Sequence, residues 1–137
     1  MSIQFSSEDM FNLSKSFHDL STALGDFRYS NWNELNQEQR ADLEAKQWTL
    51  FNMSSDLNAT SVVLKVELFD EDIKTLKSCV VDMQAAAQKI EDIKHAIAIA
   101  AKAVAFGGAI YLAVSTGDVA AMIAAATSLM QEINVNV

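Results

Sequence analysis

The chain has 137 residues, 50% of them apolar and 20% charged, which suits one domain and excludes both an intrinsically disordered chain and a uniformly hydrophobic membrane protein. It contains no proline, and without that helix breaker long uninterrupted helices are favoured over a loop-rich or all-β fold. Ten Lys and Arg against 18 Asp and Glu leave a formal charge of −8. Such an excess repels phosphate backbones, so no nucleic acid partner is expected.

The charge is uneven: residues 1–70 carry 11 acids and 5 bases, residues 71–137 carry 7 and 5. The single cysteine, Cys79, leaves no internal disulfide and no cysteine-rich metal framework, and reads as a small core hydrophobe. The opening Met-Ser-Ile-Gln-Phe-Ser-Ser-Glu-Asp is acidic and polar, unlike a secretory signal. The expected address is the cytoplasm as synthesised, and the alternative is secretion by a route that reads no N-terminal signal.

Ser6 followed three residues later by Asp9 resembles a capping box. From there Met10, Leu13, Phe17, Leu20 and Leu24 alternate spacings of three and four and draw one stripe along a first helix, which Gly25 is expected to end. Asp26 to Asn33 then holds Phe27, Tyr29 and Trp32, read as an aromatic plug on the end of a bundle, with a carbohydrate or headgroup platform as the rival. A second helix starts near Asn36 and carries leucines at 43, 50, 57 and 64. Gln47, Ser54 and Ser61 occupy the other seam positions, where a parallel zipper needs Ile or Val. Close packing within one chain fits better, and Trp48, Phe51 and Met53 suggest contact with more than one neighbour.

Asp70-Glu71-Asp72 favours a helix start, because acids complement the positive end of the helix dipole. A turn is therefore expected at Phe69-Asp70. Ile73, Leu76, Val80, Met83, Ala87, Ile90, Ile97, Ala101 and Val104 then continue the stripe, broken only at Lys94, which predicts one long third helix. The 43 residues from His95 onward hold only three charges, Lys102, Asp118 and Glu132, so the solvated face of an ordinary surface helix is missing. Ala96 to Thr116 is 21 residues long, about the length needed to span a bilayer. Thr116-Gly117-Asp118 reads as a turn, and Val119, Met122, Ala126, Leu129 and Ile133 resume a stripe. Together they form an apolar helical hairpin. At the termini, Ile3 and Phe5 and then Ile133, Val135 and Val137 alternate with polar residues, for which frayed helix ends are preferred to a two-stranded clasp.

Catalytic patterns are thin. His18 and His95 belong to no nucleophile motif and no G-x-S-x-G is present, so no enzyme activity, catalytic residue or cofactor is expected. Glu91 and Asp92 precede His95 on one helix face, but a di-iron bundle needs two acid-x-x-His units and further inward glutamates. No metal site is expected. Gly107-Gly108 lacks the lysine and later glycine of a phosphate loop. With Ala101, Ala105, Ala109 and Ala113 it reads as a thin ridge for close helix packing, in a membrane or in a soluble core. Insertion of the hairpin is affordable, since Lys102 lies toward one end of the stretch and can extend to the interface. The residues expected to enter lipid are Ala96, Ile97, Ile99, Lys102, Val104, Phe106, Gly107, Gly108, Ile110, Tyr111, Leu112 and Val114.

The segment from His95 to Met130, with Ala96-Ile97-Ala98-Ile99-Ala100-Ala101, the Phe106-Gly107-Gly108-Ala109 step and the Thr116-Gly117-Asp118 tip, resembles in pattern the α-helical pore-forming toxins of the cytolysin A and haemolysin type. The resemblance covers about a quarter of the chain and includes no diagnostic motif, and 137 residues is short for that group. It implies a long-helix bundle that stores an apolar hairpin and releases it into membrane. The expected fold is all-α, an antiparallel bundle of four or five helices forming one domain. The expected function is non-enzymatic and membrane-active, with membrane lipid and either self-association or a partner protein as partners. The alternative is a soluble interaction protein, an immunity protein or adaptor, using its acidic surface.

Overall fold

A computed structural model describes residues 2–3, 6–60 and 68–135. Five helices account for most of them: α1 (Ser7–Ser30), α2 (Gln37–Thr60), α3 (Asp70–Gln84), α4 (Ile93–Thr116) and α5 (Val119–Ile133). Successive helices alternate in direction, making an all-α bundle in which α2 lies between α1 and α4 and α3 lies between α1 and α5. The only strand pairing among the described residues is a two-residue antiparallel ladder, β1 (Ser2–Ile3) with β2 (Leu68–Phe69). Ile3 is thus neither a frayed helix end nor paired with the C-terminal residues but faces Leu68, while Phe5 and Val137 lie outside the described residues.

The start of each helix follows from local chemistry. Ser6 Oγ accepts the Asp9 amide at 3.0 Å and Asp9 Oδ2 accepts the Ser6 amide at 3.1 Å, the reciprocal box that satisfies orphan donors at the start of α1. Asn36 and Gln39 exchange the same pair of bonds before α2. At α3 the Asp72 carboxylate accepts the Phe69 amide at 3.1 Å, so the helix starts where the acid cluster placed it, but Phe69 before it belongs to the short strand β2 rather than to a turn.

The predicted stripe of α1 forms the centre of the core: Met10, Leu13, Phe17, Leu20 and Leu24 are all buried. Leu43, Leu50 and Leu57 of α2 are buried within the same chain, which accounts for the heptad without a zipper, while Ser61 and Leu64 lie outside the described residues. Hydroxyls join these two helices: Ser14 Oγ donates to the Ser54 carbonyl at 2.7 Å and Ser21 Oγ to the Gln47 carbonyl at 3.0 Å. The small hydroxyls of α1 therefore allow close approach and satisfy their own hydrogen bonds on the α2 backbone.

Three expectations are corrected. Gly25 does not end α1, which continues to Ser30; it sits within the helix where the Gln47 amide fills the space of the missing side chain. Its neighbours accordingly form no plug: Phe27 packs on the core, but Tyr29 is 85% exposed, and Trp32 lies outside under the guanidinium groups of Arg28 and Arg40. The long third helix is two helices, because the chain leaves the α path at Ala85, makes a 3-10 turn over Ala86–Gln88 and restarts at Ile93.

Tertiary contacts stabilise that break. Ala86 is fully buried, and Lys89 Nζ donates to Asn134 Oδ1 at 2.6 Å, while Asn134 Nδ2 donates to Asp82 Oδ2 at 2.9 Å. These bonds tie the connector to the ends of α3 and α5. Asp92 then caps α4 by accepting the His95 amide at 2.7 Å.

Candidate functional site

The apolar hairpin exists as predicted. Gly117, at φ 79°, ends α4 in the left-handed region that side chains resist, and Asp118 Oδ1 accepts the Ala121 amide at 3.1 Å to start α5. The base of the hairpin is fastened by His95, which is buried between the two helices. Its Nδ1 accepts the Glu91 amide at 3.2 Å, so the proton resides on Nε2, which donates to the Glu132 carbonyl at 2.7 Å. The histidine therefore serves as a clasp between the first turn of α4 and the last turn of α5.

Asp92 is occupied with the helix cap, and no group of three or more His, Cys, Asp or Glu able to hold a metal ion occurs among the described residues.

The fold divides the twelve predicted insertion residues. Ala96, Ile99, Phe106, Gly107 and Ile110 are buried against the bundle, with Phe106 stacked on Phe17 of α1 at 5.7 Å. Ile97 and Val104 are half-buried. Lys102, Gly108, Tyr111, Leu112 and Val114 are exposed. The two glycines have different surroundings. A Cβ on Gly107 would fall on the Met53 Sδ and within 2.8 Å of its Cε, so Gly107 is where α2 approaches α4 closely. Gly108 has nothing within 4 Å and takes no part in close packing inside the chain.

The alanine ridge also needs correction. Ala101 and Ala105 are exposed, Ala109 is half-buried and Ala113 is buried. Residues four apart drift about 40° around an α-helix, which turns the row from solvent into the core. What stays outside on α4 is Lys94, Ala101, Lys102, Ala105, Gly108, Tyr111, Leu112, Val114, Ser115 and Thr116, a face with two charges, both lysines. Only 39% of the most apolar 18-residue stretch of α4 is buried, and α5 continues the surface with the uncharged Ala120 and Ala124. Tyr111 Oη donates to Asp56 of α2 at 3.4 Å, and burial, followed by the Asp56 charge and that hydrogen bond, raises its pKa above 10.0.

Sequence patterns did not reveal a second surface. Trp48 and Phe51, expected to touch a further helix, are 55% and 39% exposed, and only Met53 makes the contact with α4. Periodicity marks which residues share a face, but α2 has apolar residues on more than one side, so it could not distinguish buried from exposed aromatics. No protein-family model, curated protein or solved structure matches the chain.

Proposed function

We propose that this protein is a non-enzymatic, membrane-active helical bundle, a small component of a pore-forming system, and that α4 and α5 are the elements that enter lipid. The observation supporting this reading is the outer face of α4: the helix is 24 residues long, and the part of it left outside the bundle has two charged side chains, Lys94 in the first turn and Lys102, and no acid. A surface helix of a soluble protein ordinarily turns a polar, charged face to water. Lys102 costs roughly 2.5 to 3.5 kcal/mol at a bilayer centre on insertion scales, and less if its chain reaches the interface. Self-association within the membrane follows from the exposed small residues, which permit close helix approach.

Release of the hairpin must break the His95 clasp and withdraw Phe106, Ile99 and Ile110 from the core. The test is dye release from liposomes, paired with a disulfide across the base of the hairpin, made by replacing residues of α4 and α5 with cysteines. Leakage from the reduced protein that disappears on oxidation supports insertion. No leakage at any lipid composition leaves the soluble interaction protein, a reading favoured by the acidic exterior of α1 and α2.

A further inference from the structure

We propose that the outer side of α1 and α2 docks a cationic amphipathic segment of another protein. The proposal stands apart from the membrane reading, since none of its residues lies in α4 or α5.

Four ring-bearing residues of α1 and α2 form this surface. Phe11 is 56% exposed, and His18, on the same face of α1 two turns on, is also exposed. Phe51 of α2 lies 5.8 Å from the His18 ring and 5.6 Å from Trp48, which it meets edge to face. Between the helices Phe11, His18 and Phe51 border a hollow of about 380 Å³ with Ser14, Lys15 and Ser54 at its sides, and Trp48 flanks it beside Phe51. Large apolar groups in water are costly when clustered, and a contiguous patch with polar margins is characteristic of a protein-binding surface. Tryptophan and other aromatics at the centre of such a patch supply most of the binding energy when a partner covers them.

Charge identifies the occupant. In α1, α2 and the loop between them, the exposed charged residues among those described are six acids, Glu8, Asp26, Glu34, Glu38, Glu44 and Asp56, and one base, Lys15. Lys15 is engaged with Asp19 at 3.0 Å. Glu8 lies one turn before Phe11, and Glu44 one turn before Trp48. A second copy of this chain would bring acid against acid, a juxtaposition that costs rather than contributes free energy. A helix with lysines or arginines along its flanks and aliphatic anchors at spacings of three and four meets both requirements: anchors enter the hollow and cations face the acids.

The full chain carrying Trp32→Phe, so that Trp48 alone reports, is titrated with an amphipathic helix built of leucine and lysine. A lysine-serine peptide of equal charge and a leucine-glutamate helix serve as controls. The expected result is saturable binding of the leucine-lysine helix with a blue shift of Trp48, at least about tenfold tighter than either control. By calorimetry, Phe51→Ala and Trp48→Ala each weaken that binding about tenfold while helicity is unchanged, and Glu8→Gln with Glu44→Gln weakens it and flattens its salt dependence. Equal affinity for the lysine-serine peptide overturns the proposal, as does undiminished binding by Phe51→Ala, equal binding of the leucine-glutamate helix, or no binding at all. A blue shift with phosphatidylcholine vesicles in place of peptide also overturns it, by making the patch a lipid contact.

Discussion

At the scale of single residues, the two adjacent glycines respond oppositely to substitution. Gly108 is helical and exposed with open space around it, so Gly108→Ala removes the backbone entropy penalty of glycine and should raise stability by about 0.5 to 1 kcal/mol. Gly107→Ala gains the same propensity but must displace the thioether end of Met53, and because that end is flexible the two effects nearly cancel. Gly107→Leu overfills the α2–α4 contact and should cost about 1 to 3 kcal/mol. Urea unfolding of the three variants checks the order. Cys79 gives a pH-dependent prediction. Its thiol is buried between α3 and α5, 3.8 Å from the Ala126 carbonyl, and burial, with the Asp82 charge as a lesser cause, pushes its pKa from 9.0 up to about 12. A pKa raised by folding means that the stabilising contribution is complete below pH 9.0 and lost as pH climbs through about 12. Alkylation of Cys79 at pH 8 should therefore be slow until denaturant is added, and stability should fall above pH 9. Cys79→Ala should flatten that fall; an unchanged alkaline profile would assign it to other groups, Tyr111 among them.

At the scale of elements, Asp92 shows what the sequence could and could not disclose. The apolar stripe runs from α3 toward α4 with no glycine or proline to interrupt it, and one continuous helix was the natural expectation. The break depends on contacts from far along the chain, Lys89 with Asn134 and His95 with Glu132, together with the burial of Ala86. No local pattern encodes such contacts; only Asp92, three residues before His95, is a local start signal. Asp92→Ala should cost about 1 kcal/mol and speed amide exchange in the first turn of α4, whereas loss of protection throughout α3 would mean that the two helices form as one unit. Gly25 failed as a stop for the converse reason: a glycine ends a helix only where the backbone turns left-handed, as at Gly117, and inside a helix it can equally admit a neighbour such as Gln47. The hairpin of α4 and α5 was legible because its tip uses local chemistry throughout. Which of its residues lie outside was not, because alanine and glycine occur on both its core and exposed faces.

At the scale of the whole molecule, the bundle is electrostatically two-sided. Six exposed acids and one exposed base mark α1, α2 and their loop, whereas the outer face of α4 carries only two charges, Lys94 and Lys102, and no acid. If α4 and α5 enter lipid, the net charge of −8 stays outside and opposes approach to an anionic bilayer. Zwitterionic vesicles present no such barrier, so leakage should be faster from phosphatidylcholine than from phosphatidylserine-rich vesicles at low salt. Repulsion acts over the Debye length, roughly 30 Å at 0.01 M salt and about 3 Å at 1 M, so added salt should close the gap from the anionic side. Lys102→Glu sharpens the comparison: the residue is exposed, so folding should change little, while insertion must now accommodate an acid in place of a base that can extend to headgroup phosphates. Helicity in buffer equal to that of the natural chain, with reduced leakage from both lipids, is the expected pattern. Leakage indifferent to lipid charge, salt and Lys102→Glu would mean that this face does not meet the bilayer.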